Sequence, residues 1–360
     1  KAGYSGSDYV AARYDLTVRD CYFETLSPTP AVTLSLSRNS TPGHESSFTT
    51  SDCQFQNWTS QTVARIGGSL RVTAHDCFFG TSEADAVTMD GRATLEIDNC
   101  NLDTRGAGAA LAFNGYGHWA GLRSCRLASA DGYALQCRNA TGEVHAATCT
   151  LDGGAGIDGG ACNLRLERST MNFLSFSHGS SFCELRDCLI AASARTAVTV
   201  DEWTAPLAVE RSRISASGHP AVVISNSPAE LVFRDCDIRA QDAGAVRVAL
   251  DSPALTGTCG VRFDDTRVGS FGDATGDDGD CVRAVRLADN ARVEISFEDS
   301  RVTGGIRHGV ALSAVEERVE VVVYLRDDAR QSEIDLLLGE LAAFDEVRLV
   351  SYVSKRDALE

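Results

Sequence analysis

LEIDNCNL, residues Leu95 to Leu102, decides the fold. Its order is apolar, any, apolar, two polar residues, a small residue, any, apolar. The same phrase returns as LTVRDCYF (Leu16 to Phe23), LVFRDCDI (Leu231 to Ile238) and ISFEDSRV (Ile295 to Val302). The small residue falls at Cys21, Cys53, Cys77, Cys100, Cys125, Cys149, Ser169, Cys188, Ser212, Cys236, Thr266 and Ser300. About five residues earlier the side chain is nearly always apolar: Leu16, Phe48, Val72, Leu95, Trp119, Val144 and Leu164 open that row. Just beyond the small residue comes a second apolar row, from Phe23, Phe55 and Phe79 to Ile238, Val268 and Val302. Self-similarity at this period marks a solenoid, whose units bury their apolar faces only by stacking.

The alternation within each unit has strand periodicity, not helix periodicity. A further strand lies downstream, as in AVTM ending at Met89, ALAF ending at Phe113, AVTV ending at Val200 and AVVI ending at Ile224. With the short element after the small residue, that makes three strands per coil, joined by Gly, Asn, Asp and Ser turns. Stacked strands lie about 4.8 Å apart, so about twelve coils make a rod roughly 55 Å long.

This pattern resembles the right-handed parallel β-helix superfamily, the pectin-lyase-like fold. That resemblance implies an all-β chain, a right-handed parallel β-helix over residues 1–315. Where the family often has an Asn ladder at one turn, this chain has Cys, Ser and Thr. A thiol is small and suited to a buried row. The preceding position is often acidic (Asp20, Asp52, Asp76, Asp187, Asp235, Asp265, Asp299), as expected of an outward turn.

The remaining stretch, 316–360, changes character and predicts a small C-terminal α/β cap. A strand leads into an amphipathic helix with Ile334, Leu337, Leu338 and Leu341 on one face, and VRLVSYV follows as a second strand. VYLRDDA, SEID, EVRLVSYVSK and the closing DALE resemble the start of the extracellular domain of the bacterial cell-division permease FtsX. That resemblance implies contact with periplasmic or extracellular partners and no chemistry. As a cap, the unit shields the edge of the last coil.

The 33 basic and 50 acidic residues give a net charge of −17, which disfavours nucleic acid and anionic membrane as partners. No apolar run reaches the length of a membrane span. The opening KAGYSGSDYV does not have the form of a signal peptide, and the compartment, bacterial cytoplasm or cell surface, stays open. Thirteen cysteines invite a disulfide reading, but Ser169, Ser212, Thr266 and Ser300 occupy the same row, so the position asks for a small side chain. Buried free thiols, fitting a reducing compartment, are the expectation.

Enzymes of the β-helix superfamily usually work on the outside of the strand that here reads AVTV. Its outward row, Thr88, Ala112, Gln136, Ser175, Thr199, Val223 and Arg247, holds no carboxylate pair of the kind glycoside hydrolysis uses. The adjoining turn is richer, with Asp90, Asn114, Arg138, Asp158, His178, Asp201 and Glu202. Stacking would align Arg138, Asp158, His178 and Asp201 as a candidate catalytic stripe, Arg138 or His178 serving as base. Tyr116, His118 and Trp203 beside it are candidate sugar-stacking aromatics, with Asp90, Asn114 and Glu202 completing a substrate-binding set. Asp and Asn also belong in such turns for backbone reasons alone.

SHGS, Ser177 to Ser180, is superficially similar to an element of polygalacturonase-like hydrolases, but the paired aspartates and Arg-any-Lys element are missing. No phosphate loop, nucleophile elbow or zinc motif occurs. No resident cofactor is implied. Asp273, Asp277, Asp278 and Asp280 offer oxygen ligands of the kind calcium takes, without EF-hand spacing, and a solvated acidic loop is the simpler account. Two function classes follow. The first is a non-catalytic solenoid that recognises a protein or an extended polymer, with oligomers through its faces as one form of assembly. The alternative is a carbohydrate-active enzyme (polysaccharide lyase, glycoside hydrolase or epimerase) working at the stripe.

Overall fold

The computed structural model describes residues 15–26, 29–35, 46–252, 255–272, 280–286, 291–304, 310–314 and 320–323. They form a parallel β-helix of strands and turns. Each coil contributes to three faces. In one coil, Ala93–Asp98 lies on the front, Asn101–Thr104 on a short side and Leu111–Asn114 on the return. The short side stacks into a twelve-stranded sheet. Front and return join into one 23-stranded sheet because Leu135–Ala147 and Ala155–Glu167 run through the corner between them. All pairing is parallel and in register: Leu95 faces Val72 on one side and Ala120 on the other.

Period-two burial follows the sequence. Leu95, Ile97, Cys100 and Leu102 are buried, while Glu96 and Asp98 point outward. Along the inward short-side row, Phe23, Phe55 and Phe79 stack with centroids 5.0 Å apart. Near the other end, the front row stacks Phe233, Phe263 and Phe297 at 5.4 and 5.0 Å. Between them the lumen is filled by residues such as Leu127, Leu151, Ile190 and Ile214.

One row expectation is corrected. Trp119 is not part of the inward front row. Ala120 occupies that register and is fully buried, while Trp119 faces outward. Strict alternation decides the side, and the greater hydrophobicity of tryptophan does not override it.

The front corner is a repeated device. The residue before the small one has positive φ in all twelve coils, from Asp20 at 52° to Asp299 at 49°. Asp and Asn tolerate this left-handed conformation better than most side chains, which accounts for the acidic preference. Arg168 and Arg211 adopt it as well.

The small residue then turns inward and donates to the carbonyl two residues back. Cys125 Sγ reaches Arg123 O at 3.1 Å, Ser212 Oγ reaches Glu210 O at 2.8 Å and Thr266 Oγ1 reaches Asp264 O at 2.9 Å. It also accepts the amide of the matching residue one coil earlier: Cys188 N to Ser212 Oγ is 3.0 Å and Cys236 N to Thr266 Oγ1 is 3.2 Å. The ladder therefore binds coil to coil, as an Asn ladder does, and is not a merely apolar filling. Only a short side chain carrying both a donor and an acceptor fits, which is why Cys, Ser and Thr interchange. All thirteen thiols are free, with Cys21 partly exposed and the others buried.

The strand Glu320–Val323 pairs in parallel with Glu294–Phe297, so the front sheet continues past residue 315. The expected amphipathic helix and second C-terminal strand lie outside the described residues.

Candidate functional site

The return strands place the polar stripe. Their fourth positions stack in one outward row: Asp90, Asn114, Arg138, Asp158, Ser177, Asp201 and Ser225. Arg138, Asp158 and Asp201 thus share a row as expected. His178 does not. The coil between Ser169 and Cys188 puts Ser177 in that register, and His178 falls in the next row, beside Glu202. This second row repeats the left-handed corner: Asn139, His178, Glu202 and Asn226 have φ between 47 and 52°.

Arg138 is committed to structure. Its guanidinium takes both oxygens of Asp85 at 2.8 and 3.0 Å and donates through Nε to Gln136 at 2.8 Å. A guanidinium in a bidentate pair is a poor general base. Asp90 is paired with Arg65 at 2.5 Å and accepts from Asn114 Nδ2 at 3.3 Å.

Two of the three candidate stacking aromatics are buried and cannot meet a sugar. Trp203 is fully buried, its ring 5.1 Å from that of Phe176. His118 is also buried, edge-on to Phe113 and bonded through Nε2 to Asn114 O at 2.8 Å. Burial pushes its imidazole below the usual pKa. Tyr116 alone stays in solvent, 71% exposed.

What remains of the stripe is one cluster. Nε2 of His178 lies 3.2 Å from Glu202 Oε2, and Nδ1 lies 3.8 Å from Asp158 Oδ1. Ser177 Oγ donates to Asp158 Oδ1 at 3.1 Å. All three ionisable side chains are more than half exposed. The Asp201 carboxyl is raised above the usual aspartate range by partial burial, then by the negative charge of Glu202 and Asp251, with His178 opposing. The cluster offers a proton-accepting imidazole and neighbouring carboxylates on an open turn.

Among the described residues, no three or more His, Cys, Asp or Glu side chains group to hold a metal ion. Of the calcium candidates, Asp273, Asp277 and Asp278 lie outside the described residues. Asp280 is buried, its carboxylate 3.8 Å from Arg283 Nη1, an arrangement that differs from a solvated loop ligand.

The front face carries charge that neutralises itself. Glu167, Arg186, Glu210, Arg234 and Asp264 occupy one row in register. Arg234 bridges Glu210 at 3.1 Å and Asp264 at 3.6 Å, and Arg262 reaches Glu298 at 2.7 Å. Sequence reasoning missed Asp85, Ser177 and the outward Trp119. Of these, only Trp119 had a local signal, its odd place in the strand alternation.

Residues 318–360 match the FtsX extracellular domain family. No curated protein matches the chain. Among solved structures, the chain is similar to the A-module of the mannuronan C-5 epimerase AlgE4 from Azotobacter vinelandii. Identity is 10% and TM-score 0.47, covering 87% of this chain and 91% of that one. It is also similar to the tailspike gp49 of Acinetobacter baumannii bacteriophage Fri1, a capsular polysaccharide depolymerase. There identity is 9% and TM-score 0.31, covering 81% of this chain and 60% of that one. Among the described residues, no helix is long and apolar enough to cross a membrane.

Proposed function

We propose that the rod is a non-catalytic recognition or assembly surface for a protein partner or an extended polymer. The observation that carries this reading is the state of the stripe. Arg138 is locked to Asp85, His118 and Trp203 face the core, and the surviving acid–base groups stand on an exposed turn. Chemistry on a polymer profits from groups held in a water-poor site, and this cluster is open to water. The continuation of the front sheet into the segment that matches an extracellular domain supports an assembly role at the cell envelope.

One observation favours the second reading, a carbohydrate-active enzyme. Asp158 and Asp201 stand two rungs apart on one row, a backbone separation of roughly 9–10 Å. Inverting glycosidases hold their carboxyl groups about 6.5–9.5 Å apart, with one raised in pKa to act as acid. Asp201 is the raised one.

A polysaccharide depolymerisation screen, following reducing ends and unsaturated products, separates the readings. Binding without cleavage is expected. Cleavage that disappears in both Asp201→Asn and His178→Ala would replace the recognition reading with the enzymatic one.

A further inference from the structure

We infer that the outward front face around Trp119 is a glycan-binding platform, with a sugar ring stacked on the indole and its hydroxyls bonded by side chains of the next coils. This rests on the recognition reading and names its site and ligand class.

The indole lies flat on the sheet. Gly121, two residues on along the same face, makes room for it: a Cβ there would stand 2.7 Å from the indole Cη2. Trp119 is 36% exposed, so one ring face is pressed to the backbone and the other is turned to water. The His145 ring borders it, tilted, with centroids 6.3 Å apart. A large apolar ring held flat at the surface, away from the lumen, contributes nothing to the core. It offers what the less polar face of a pyranose takes up, a broad π surface with hydrogen-bonding groups at its rim.

Those groups follow in register. Trp119 faces Glu143, which faces Asn163, while Gly121 faces His145, which faces Arg165. Glu143 Oε1 is 2.7 Å from His145 Nε2 and 3.9 Å from Arg165 Nη1. Asn163 Oδ1 accepts the Phe182 amide at 3.0 Å, and its own amide group is the remaining donor. The phenyl ring of Phe182 is a second aromatic on this face, also 36% exposed. Since Leu164 pairs with Cys183, Phe182 closes the column that Trp119 opens, three rungs or roughly 14 Å away.

Two aromatic rings thus flank a set of donors and acceptors whose charges alternate: Arg165 lies 3.9 Å from Glu143 and 3.8 Å from Glu184, and Glu184 pairs in turn with Arg186. Such a set suits an uncharged, hydroxyl-rich chain running along the rod. An ionic polymer would find no net charge to answer. A protein partner's anchoring side chains usually fill pockets, whereas this face is the outer side of a β-sheet.

The test uses the whole chain on a printed array of microbial and plant polysaccharides, followed by titration of the best ligand. Trp119→Ala is expected to weaken binding at least tenfold, and Gly121→Val to weaken it by displacing the indole. His178→Ala/Glu202→Ala, on the other corner, is expected to bind as wild type. Thermal unfolding of each variant controls for folding, and Trp119→Phe, which keeps a ring, is expected to restore part of the affinity. Full binding by folded Trp119→Ala, with loss in the His178/Glu202 variant, overturns the platform while leaving the recognition reading in place. Binding of no glycan by wild type also overturns it, and capture of a protein partner by that same preparation would keep the broader reading alive.

Discussion

The guanidinium of Arg138 and the carboxylate of Asp85, 53 residues apart in the chain, form a two-pronged pair at 2.8 and 3.0 Å. Asp85 precedes Val87, whose register runs through Leu111 to Leu135, so the pair spans two coils on the return face. Asp85→Ala should lower the unfolding free energy by about 1–3 kcal/mol, in the range for hydrogen bonds between charged groups. Arg138→Lys should lose most of the same amount, because an ammonium cannot make the fork. Urea titration of both variants checks this. A cost near zero for both would show the pair to be ornamental.

The ladder predicts a ranking. Ser212 Oγ donates to Glu210 O and accepts from Cys188 N, so Ser212→Ala leaves two backbone groups without their partner. A loss of about 1–3 kcal/mol is expected, the cost of an unsatisfied buried group. Ser212→Cys, which keeps a weak donor and acceptor, should cost less than Ser212→Ala. Equal costs would mean that size alone governs the row.

Stability should fall on acidification through His118. Its folded pKa is depressed by burial, so the neutral ring is the folded form. The sign follows: its contribution is complete above the ordinary imidazole value of about 6.5 and is lost as pH drops from there through the lowered folded value. His118→Phe should flatten that part of the profile of melting temperature against pH. An unchanged slope between wild type and variant would assign the acid sensitivity to other groups.

Thiol reactivity should divide the cysteines sharply. Burial pushes Cys188, Cys236 and Cys281 up to about 11 and Cys259 to about 12, so these stay protonated and inert at neutral pH. Of the thirteen thiols, only Cys21 is partly exposed. An aromatic disulfide reagent should therefore label about one thiol in the native protein and all thirteen in denaturant. Rapid native labelling at Cys188 or Cys236, located by mass spectrometry, would contradict the buried ladder.

The inward rows were legible because burial enforces period two: Leu95, Ile97 and Leu102 are apolar for a reason every coil repeats. The register of the return strand's outer row was legible for the same reason, with Gly156 alone left out between Gln136 and Ser175, but Thr88 and Ala112 in that row are buried and not exposed. What was not legible depends on corners. His178 falls one position beyond the row because a short coil moves the turn, and Ser177 occupies the row instead. Trp203 follows the left-handed Glu202 just as Ser227 follows Asn226, and Trp203 N donates to Ser227 Oγ at 3.0 Å. That is the inward slot of a second corner built like the first, so a large ring there enters the core. The Asp85–Arg138 pair left no local trace, since no spacing rule connects residues separated by two coils.

The hydrogen bonds of the ladder also have a direction. In five places the amide of one ladder residue is met by the side chain of the next coil, from Cys77 N to Cys100 Sγ through Thr266 N to Ser300 Oγ. A finished coil therefore presents an unmet amide at its growing end, and the following coil brings the group that meets it. Synthesis delivers coils in that order. Each new coil needs only its predecessor as a template, so the rod can form stepwise as the chain emerges, without waiting for a distant segment to be made.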